Sequence, residues 1–284
     1  MVELSGVRAM TDAATSADGS IRFRDVGINF TPKQRGEWVL RHLDLEIGDN
    51  EFFVIVGPSG CGKSTLLRVL AGIAKPTEGF AQTSRGVVHG PGPDRAMVFQ
   101  SVDTPLMEWL NVRRNVEYGL RMQRVPRSVR AATVDQYLRK VGLHRAASKY
   151  PHQLSGGMKQ RVQIARVLAS NPSVLLMDEP FAALDAQTRR LLQRELVSLW
   201  QDEPRTVIYV THDIREAVLL GTKVAVMTAP PQSTIRTTYE IAMPYPRDEF
   251  APEFVDLASK VEADIEEEVS KLWAGDGFES QSRS

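Results

Sequence analysis

One short stretch constrains this chain more than any other. It reads Gly57-Pro58-Ser59-Gly60-Cys61-Gly62-Lys63-Ser64-Thr65, between the apolar runs 51–56 and 66–71. This context predicts a strand, a glycine-rich loop and a helix, in which backbone N–H groups and the helix N-terminus face one anion. The spacing predicts a nucleoside triphosphate site where Lys63 contacts the β and γ phosphates and Ser64 binds Mg²⁺. An ordinary glycine turn before a helix is the alternative.

Charge balance and cysteine content narrow the classes of function. Lys and Arg together number 35, as do Asp and Glu, so no net charge indicates a nucleic-acid partner. Cys61 is the single cysteine, which excludes a disulfide framework and fits a reducing cytosol. No apolar run reaches the length of a membrane span, and the N-terminus lacks a secretory apolar core. We expect a chain that is soluble by itself and reaches a membrane only through a partner.

The region before the loop predicts a mobile extension followed by a hairpin. Residues 1–20 mix small and polar residues without sustained periodicity. Residues 21–30 and 39–47 predict two strands around a polar turn, which Phe30 and Trp38 flank. An aromatic side chain at this place either packs in the core or stacks on an adenine ring, and Phe30 is the better candidate for stacking.

The region after the loop predicts an inserted helical lobe. Residues 72–79 predict a turn that ends the first unit, and residues 95–100 predict a strand that ends in the amide of Gln100. From 101 to about 155 the pattern is helical and more basic. We expect its basic residues to form a solvated face rather than a nucleic-acid site. Two helices are predicted in the lobe, at 111–122 and 128–141.

The segment 104–112 is unusually apolar for a loop that leaves a ligand site. Because the chain has no membrane span, this patch predicts a docking surface for a membrane partner. Trp109 is of a residue type that is favoured in interface cores. The alternative is that Leu106, Trp109 and Leu110 pack inside the helical lobe.

A serine followed by two glycines forms a second candidate phosphate contact. Ser155 is a natural N-cap, and Gly156 and Gly157 let a ligand approach the backbone ahead of the apolar helix 162–169. Taken alone, the pattern is also that of a well-capped helix.

Two predicted strands end in residues that carry chemistry. The apolar run 174–177 predicts a buried parallel strand that ends in Asp178 and Glu179. A carboxylate pair there costs desolvation unless metal or water chemistry uses it, so Asp178 would hold Mg²⁺ through its water shell and Glu179 would polarise the attacking water. Residues 206–210 predict another strand, which places His212 near a γ-phosphate.

The C-terminal part predicts closing strands at 223–227 and 233–241, a linker at 244–252 and then one amphipathic helix. We expect this helix to dock on its own domain, with residues 266–268 partly on its wet face; a regulatory or partner-binding helix is the alternative. The apolar positions of the helix are Phe254, Leu257, Val261, Ile265, Val269 and Leu272.

Together, these motifs resemble the ATP-binding subunit of an ATP-binding cassette (ABC) transporter across residues 21–247. The order of the phosphate loop, Gln100, the 154–161 signature, the carboxylate pair, Asp185 and His212 matches the family, and small-molecule kinases lack the signature. The resemblance implies an α/β phosphate-loop NTPase core with an antiparallel β subdomain and an inserted α-helical subdomain. It also implies that Asp185 and the signature contact nucleotide and that Gln100 contributes to metal binding and catalysis.

Finer features resemble the bacterial subgroup that imports nitrate, sulfonates and taurine. They are the phosphate loop itself, the strand end 97–100, the signature region 150–158 and the carboxylate region 176–185. Two positions depart from that subgroup: Glu108 replaces a proline, and Gln232 replaces the glycine of a Pro-Gly pair.

The resemblance implies a mechanism with several partners. Two copies would face head to tail, with each ATP between one phosphate loop and the other copy's signature. Membrane-spanning permease subunits and a solute-binding protein would complete the system at the cytoplasmic face of the bacterial plasma membrane, with ATP and Mg²⁺ as cofactors. The expected organisation is an extension at 1–20, an ATPase domain at 21–245 and a linker with helix at 246–284. A lipid or export system and a soluble cassette ATPase of DNA repair or translation stay open as alternatives.

Overall fold

The computed structural model describes residues 20–30, 37–99 and 106–275. Nearly all of the predicted extension, and Gln100, lie outside these residues. The strands are β1 Ile21–Ile28, β2 Leu40–Ile47, β3 Phe52–Val56, β4 Glu78–Thr83, β5 Gly86–Val87, β6 Arg95–Val98, β7 Val174–Asp178, β8 Thr206–Val210, β9 Lys223–Met227 and β10 Ile235–Glu240. The helices are α1 Lys63–Leu70, α2 Val112–Met122, α3 Arg127–Lys140, α4 Gly156–Ala169, α5 Ala186–Asp202, α6 Ile214–Leu220 and α7 Pro252–Gly275.

A six-stranded sheet in the order β10-β9-β3-β8-β7-β6 forms the centre of the fold. Its neighbouring strands are parallel except for β10, which runs antiparallel to β9. Every residue of β3, β7 and β8 is buried, which explains their continuous apolar runs. Because parallel strands end at one edge, the segments that follow β3, β7 and β8 meet there.

A second sheet, in the order β2-β1-β4-β5, confirms the predicted antiparallel β subdomain. The predicted turn after α1 is present up to Thr77, but its last two residues belong to β4, which begins at Glu78. Gly79 has φ +68°, and a Cβ there would lie 2.2 Å from the Arg24 carbonyl oxygen. This glycine permits a close approach of two strands, which its turn-like neighbours Pro76 and Thr77 conceal in the sequence.

The predicted helical lobe is confirmed as α2 and α3, which pack against α4. Val116 of α2, Leu138 of α3 and Val162 of α4 belong to one buried cluster. Helix α4 begins at Gly156, so the predicted N-cap Ser155 is confirmed and the apolar stretch 162–169 forms the second half of the helix. Ser155 caps the helix directly, because its Oγ accepts a hydrogen bond from Met158 N at 3.4 Å.

Helix α7 docks on its own domain, as predicted. Phe254 and Val261 are completely buried in the core that α7 shares with the central sheet. Arg236 of β10 pairs with Glu267, and this contact lowers the pKa of Glu267 to about 2. The prediction that residues 266–268 face solvent is wrong for Glu268, which is 3% exposed. Its carboxylate accepts a hydrogen bond from Ala229 N at 2.9 Å and forms a salt bridge with Arg236.

None of the helices in the described residues combines the length and the apolar character needed to cross a membrane.

Candidate functional site

The phosphate loop connects the end of β3 to the start of α1, as predicted. Helix α1 begins at Lys63 and has Gly62 as its N-cap, with φ +90°. A Cβ at Gly62 would lie 2.7 Å from Leu40 Cδ2, so glycine is required both for the backbone conformation and for the contact with β2. The conformation of the loop therefore depends on Gly62 and on its packing against β2.

Lys63 is held against the loop that it belongs to. Its Nζ donates hydrogen bonds to the carbonyl oxygens of Gly57 at 2.7 Å and Pro58 at 2.8 Å, and the side chain is 9% exposed. The Cys61 Sγ lies 3.7 Å from the same ammonium group, and burial raises the pKa of this thiol. The loop thus concentrates one positive charge and several N–H groups at the N-terminus of α1.

Ser64 links the loop to the second strand that carries chemistry. Its Oγ donates a hydrogen bond to Asp178 Oδ1 at 3.0 Å. Asp178 is 3% exposed, and its burial raises the pKa of the carboxyl group. A hydroxyl and a buried carboxylate are oxygen ligands of the kind that Mg²⁺ prefers.

Metal binding at this place would use few protein ligands. The described residues contain no group of three or more His, Cys, Asp or Glu side chains that could hold a metal ion. Mg²⁺ is commonly held by one or two protein oxygens, supplemented by water and by substrate phosphates. Ser64 and Asp178 fit that donor set.

Glu179 and His212 form a second pair at the same edge of the sheet. His212 Nδ1 lies 3.1 Å from Glu179 Oε1, and the imidazole is 70% exposed whereas the Glu179 side chain is 16% exposed. Glu179 has φ +45°, a strained conformation for a non-glycine residue. Its N–H is satisfied by the carbonyl oxygen of Val210 at 3.0 Å. A shielded carboxylate and an accessible imidazole thus face the space beyond the strand ends.

A buried network that the sequence analysis missed fixes the loop of His212. Glu216 is 8% exposed and accepts hydrogen bonds from Thr211 Oγ1 and, at 2.8 Å, from Gln193 Nε2. Asp213 caps α6 through Glu216 N at 3.0 Å. The spacing of Thr211, Asp213 and Glu216 signals a helix cap, but Gln193 lies on α5 and no local pattern connects it.

The signature end of α4 has a different environment. Ser155 and Gly156 are exposed, and the Ser155 hydroxyl serves as the cap of α4. No hydrogen bond in the described part of the chain connects them to the phosphate loop. Gln160, one turn into the helix and 1% exposed, contacts the segment that follows β7: its Nε2 donates to Glu179 O at 3.5 Å and its Oε1 accepts from Ala183 N at 3.3 Å.

Two other predicted site residues stay apart from the phosphate loop. Asp185 is exposed and caps α5, where Thr188 N donates to Oδ1 at 2.9 Å and lowers the pKa of the carboxyl group. Phe30 is 64% exposed just beyond β1. Trp38, the other aromatic candidate, packs over Gly27, because a Cβ on that glycine would lie 2.8 Å from the ring.

Comparison with known proteins agrees with this geometry. The family model "ABC transporter" matches residues 40–182. An uncharacterised ABC transporter ATP-binding protein of Methanocaldococcus jannaschii is 47% identical over 232 residues, which cover 82% of this chain and 86% of the relative. The nitrate import ATP-binding protein NrtD of Synechococcus elongatus is 43% identical over 239 residues, with 83% and 86% covered.

The fold comparison leads to the same family. A solved dimer of the ATP-binding cassette MJ0796, in a post-hydrolysis state bound to ADP and Pi, matches with a TM-score of 0.71 and 30% sequence identity. The match covers 79% of this chain and 100% of that chain. The family model, the sequence relatives and the solved cassette agree: this chain belongs to the ABC transporter ATP-binding family and is an ABC-type ATPase.

Proposed function

We propose that the chain is the Mg²⁺-dependent, ATP-hydrolysing subunit that energises an importer of a small solute such as nitrate, a sulfonate or taurine. The observation that carries the proposal is the hydrogen bond between Ser64 Oγ and Asp178 Oδ1, beside the Glu179–His212 pair. This hydrogen bond joins the phosphate loop to the buried Asp178. The next residue, Glu179, would activate the attacking water at the same edge of the sheet. The nitrate import relatives support the solute class.

Each residue has a separate task in this proposal. Lys63 and the loop N–H groups bind the phosphates of ATP, and Ser64 and Asp178 hold Mg²⁺, which neutralises charge on the phosphates. Glu179 accepts a proton from the attacking water, while His212 orients that carboxylate and contacts the γ-phosphate. Gln100, which lies outside the described residues, would add a metal contact, and Phe30 would stack on the adenine.

A second copy of the chain completes the site in this proposal. Ser155, Gly156 and Gly157 would contact the ATP held by the partner's phosphate loop, with Asp185 near the same interface. Support comes from the exposure of Ser155 and Gly156 at the N-terminus of a helix, where an anion is favourable. The related cassette of known structure is dimeric.

The membrane-spanning partner would dock at residues 104–112. Trp109 is 75% exposed, whereas Leu106 is 4% exposed and packs in the core, so the docking surface is narrower than the apolar stretch predicts. We also propose a peripheral position at the cytoplasmic face of the membrane and a solute-binding protein in the complete system. Residues 21–245 would form the ATPase domain, with the lobe at about 101–155 and the accessory segment at 246–284.

Metal-dependent hydrolysis by the purified chain tests the catalytic part. We expect ATP hydrolysis that requires Mg²⁺, and Asp178→Asn should weaken that requirement by uncoupling metal from nucleotide binding. Glu262→Gln, on the exposed face of α7, is the matched control for the loss of one carboxylate. Hydrolysis that is independent of Mg²⁺ in the parent protein would contradict the assignment.

Co-purification with the membrane subunits tests the docking surface. Trp109→Glu should leave folding and ATP binding intact but release the chain from the membrane complex. Phe250→Glu is the control, since Phe250 is an 85% exposed aromatic residue outside the lobe. Normal assembly of Trp109→Glu with the membrane subunits would exclude Trp109 from the docking surface. Growth of a deletion strain on single nitrogen and sulfur sources would identify the solute.

A further inference from the structure

Charge is unevenly distributed along this neutral chain. Residues 111–150 contain ten Lys and Arg but only two Asp and Glu, whereas the whole chain contains 35 of each class. This segment comprises α2, α3 and the connection toward α4. The helical lobe is therefore strongly basic, and the rest of the molecule carries the compensating negative charge.

Both acidic residues of the segment are already paired. Arg113 forms a salt bridge with Asp135, and this contact lowers the pKa of the Asp135 carboxyl group. Arg130 Nε lies 2.8 Å from Glu117 Oε1. Because both pairs join α2 to α3, they fix the two helices together and leave no acid in the segment to neutralise its other cations.

Most of the remaining cations are free at the surface. Lys140 pairs with Glu195 at 3.3 Å. Seven others are exposed and form no salt bridge within the described residues: Arg114, Arg121, Arg124, Arg127, Arg139, Arg145 and Lys149. We call these seven residues the basic face.

The turn between α2 and α3 adds apolar side chains to the basic face. Met122, at the end of α2, is 61% exposed, and Val129, in the first turn of α3, is 51% exposed. Arg121, Arg124 and Arg127 are their neighbours along the chain. This combination of long cationic side chains and exposed apolar groups is typical of surfaces that rest on a lipid headgroup layer.

The same turn is held rigidly. Gln123 Nε2 donates to the carbonyl oxygen of Ser170, at the end of α4, at 2.8 Å. Arg130 Nη1 donates to the carbonyl oxygen of Val125 at 2.8 Å. The cations of the turn are thus presented by an ordered backbone, and binding need not first order the segment.

We propose that the basic face binds anionic phospholipid headgroups beside the membrane-spanning partner, an inference that rests on the proposed function. Clusters of four to eight Lys and Arg residues bind anionic leaflets, and guanidinium groups hydrogen-bond phosphate through two donors. The cations extend from the first turn of α2 around the α2–α3 turn to the end of α3. This spread fits an extended charged surface better than one acidic loop of a protein partner.

Vesicle binding by the full chain tests the inference. Arg121→Gln/Arg124→Gln/Arg127→Gln removes three exposed charges without breaking a described salt bridge. The parent protein should sediment with phosphatidylcholine vesicles that contain phosphatidylglycerol, but not with phosphatidylcholine alone, and added salt should weaken binding. The triple variant should partition on the order of a hundredfold more weakly, at about fivefold per basic side chain.

A matched triple variant separates a specific face from general charge. Arg85→Gln/Arg190→Gln/Arg194→Gln removes three exposed arginines outside the lobe that also form no described salt bridge, and it should bind vesicles like the parent. Equal weakening by both triples, or equal binding to neutral vesicles, would overturn the proposal. Normal vesicle binding by the first triple, combined with its loss from the detergent-purified complex, would assign the face to an acidic protein partner instead.

The outcome is independent of the proposed catalysis. Both triples lie outside the phosphate loop and the strand ends, so ATP hydrolysis by each should equal that of the parent. Failure of the proposed function would appear as absent hydrolysis in the parent itself, whereas failure of the lipid inference would leave hydrolysis intact and abolish only the vesicle result.

Discussion

The phosphate loop and the signature end of α4 are both glycine-containing N-termini of helices, yet the chain treats them differently. At the phosphate loop, polar side chains are turned inward: Lys63 binds loop carbonyls and Ser64 binds the buried Asp178. At the signature, Ser155 only caps its own helix and, like Gly156, is exposed. The first region is organised within one chain, whereas the second leaves the N-terminus of a helix exposed.

The two regions also differ in the neighbours that they have within the chain. The phosphate loop lies beside the candidate catalytic residues Glu179 and His212, because β3, β8 and β7 are adjacent in one sheet. Helix α4 contacts the segment after β7 through Gln160, which hydrogen-bonds the backbone of Glu179 and Ala183. The exposed end of α4 is therefore open to a second molecule, as the proposed head-to-tail dimer requires.

The largest effect should come from Glu179→Gln on the phosphate-loop side. The change retains shape but removes the carboxylate that accepts the proton, so the turnover rate should fall by about 10²–10⁴-fold while ATP binding persists in a closed dimer. Single-turnover hydrolysis and ATP titration would measure both quantities. Turnover at the parent rate would transfer the catalytic role to His212 or another group.

Lys63→Ala should remove most of the nucleotide affinity. The loss of one charge-assisted contact costs about 1.5–3 kcal/mol, which corresponds to roughly 10–150-fold in Kd. Lys75→Ala, an exposed lysine after α1, serves as the control. Unchanged affinity in a titration of Lys63→Ala would refute the site assignment.

A mixture of two inactive variants tests the division between the regions directly. Ser155→Arg blocks the signature and Lys63→Ala blocks the phosphate loop, so a dimer with one of each retains one intact composite site. Mixing should restore part of the ATPase activity, provided that one site suffices for turnover. Formation of mixed dimers without any recovery would argue against composite sites or against single-site turnover.

Asp178→Asn should show how much the buried Asp178 carboxylate lowers the free energy of unfolding. Burial raises the pKa of Asp178, so the folded protein holds this proton more tightly than the unfolded chain does. The contribution of Asp178 to native stability therefore falls as pH rises from the ordinary pKa of an aspartate, about 3.9, through its raised pKa. Without metal and nucleotide, the variant should gain stability over the parent across that window, as measured by denaturant unfolding at several pH values. A difference in unfolding free energy between variant and parent that stays constant with pH would contradict the raised pKa of Asp178.

The smallest effect should come from Gln232, which belongs to neither region and so provides a negative control. Its φ of +63° lies in the left-handed region that glycine adopts most easily. Gln232→Gly should change stability by at most about 1 kcal/mol, in the stabilising direction, and leave ATPase activity unchanged. A large change in activity would mean that the β9–β10 turn is coupled to the site.

The sequence by itself determined the local parts of this protein. Strand, glycine loop and helix at residues 51–71 depend on contiguous residues, and the phosphate loop has the predicted position. The buried strands that end at Asp178 and Val210 were predicted for the same reason, since continuous apolar runs need no distant partner to be recognised. Family membership also followed, because the motifs occur in a fixed order along the chain.

Only the tertiary structure decided what depends on contacts between distant segments. Strand β4 follows turn-like residues and exists because Gly79 fits against β1. Glu268 looks solvent-facing in the helical pattern but is buried by Arg236 and Ala229, which come from a different part of the chain. Gln160 and Gln193 likewise have no motif of their own. Their amide groups hydrogen-bond segments that are distant in the sequence, so side-chain spacing along one helix cannot reveal them.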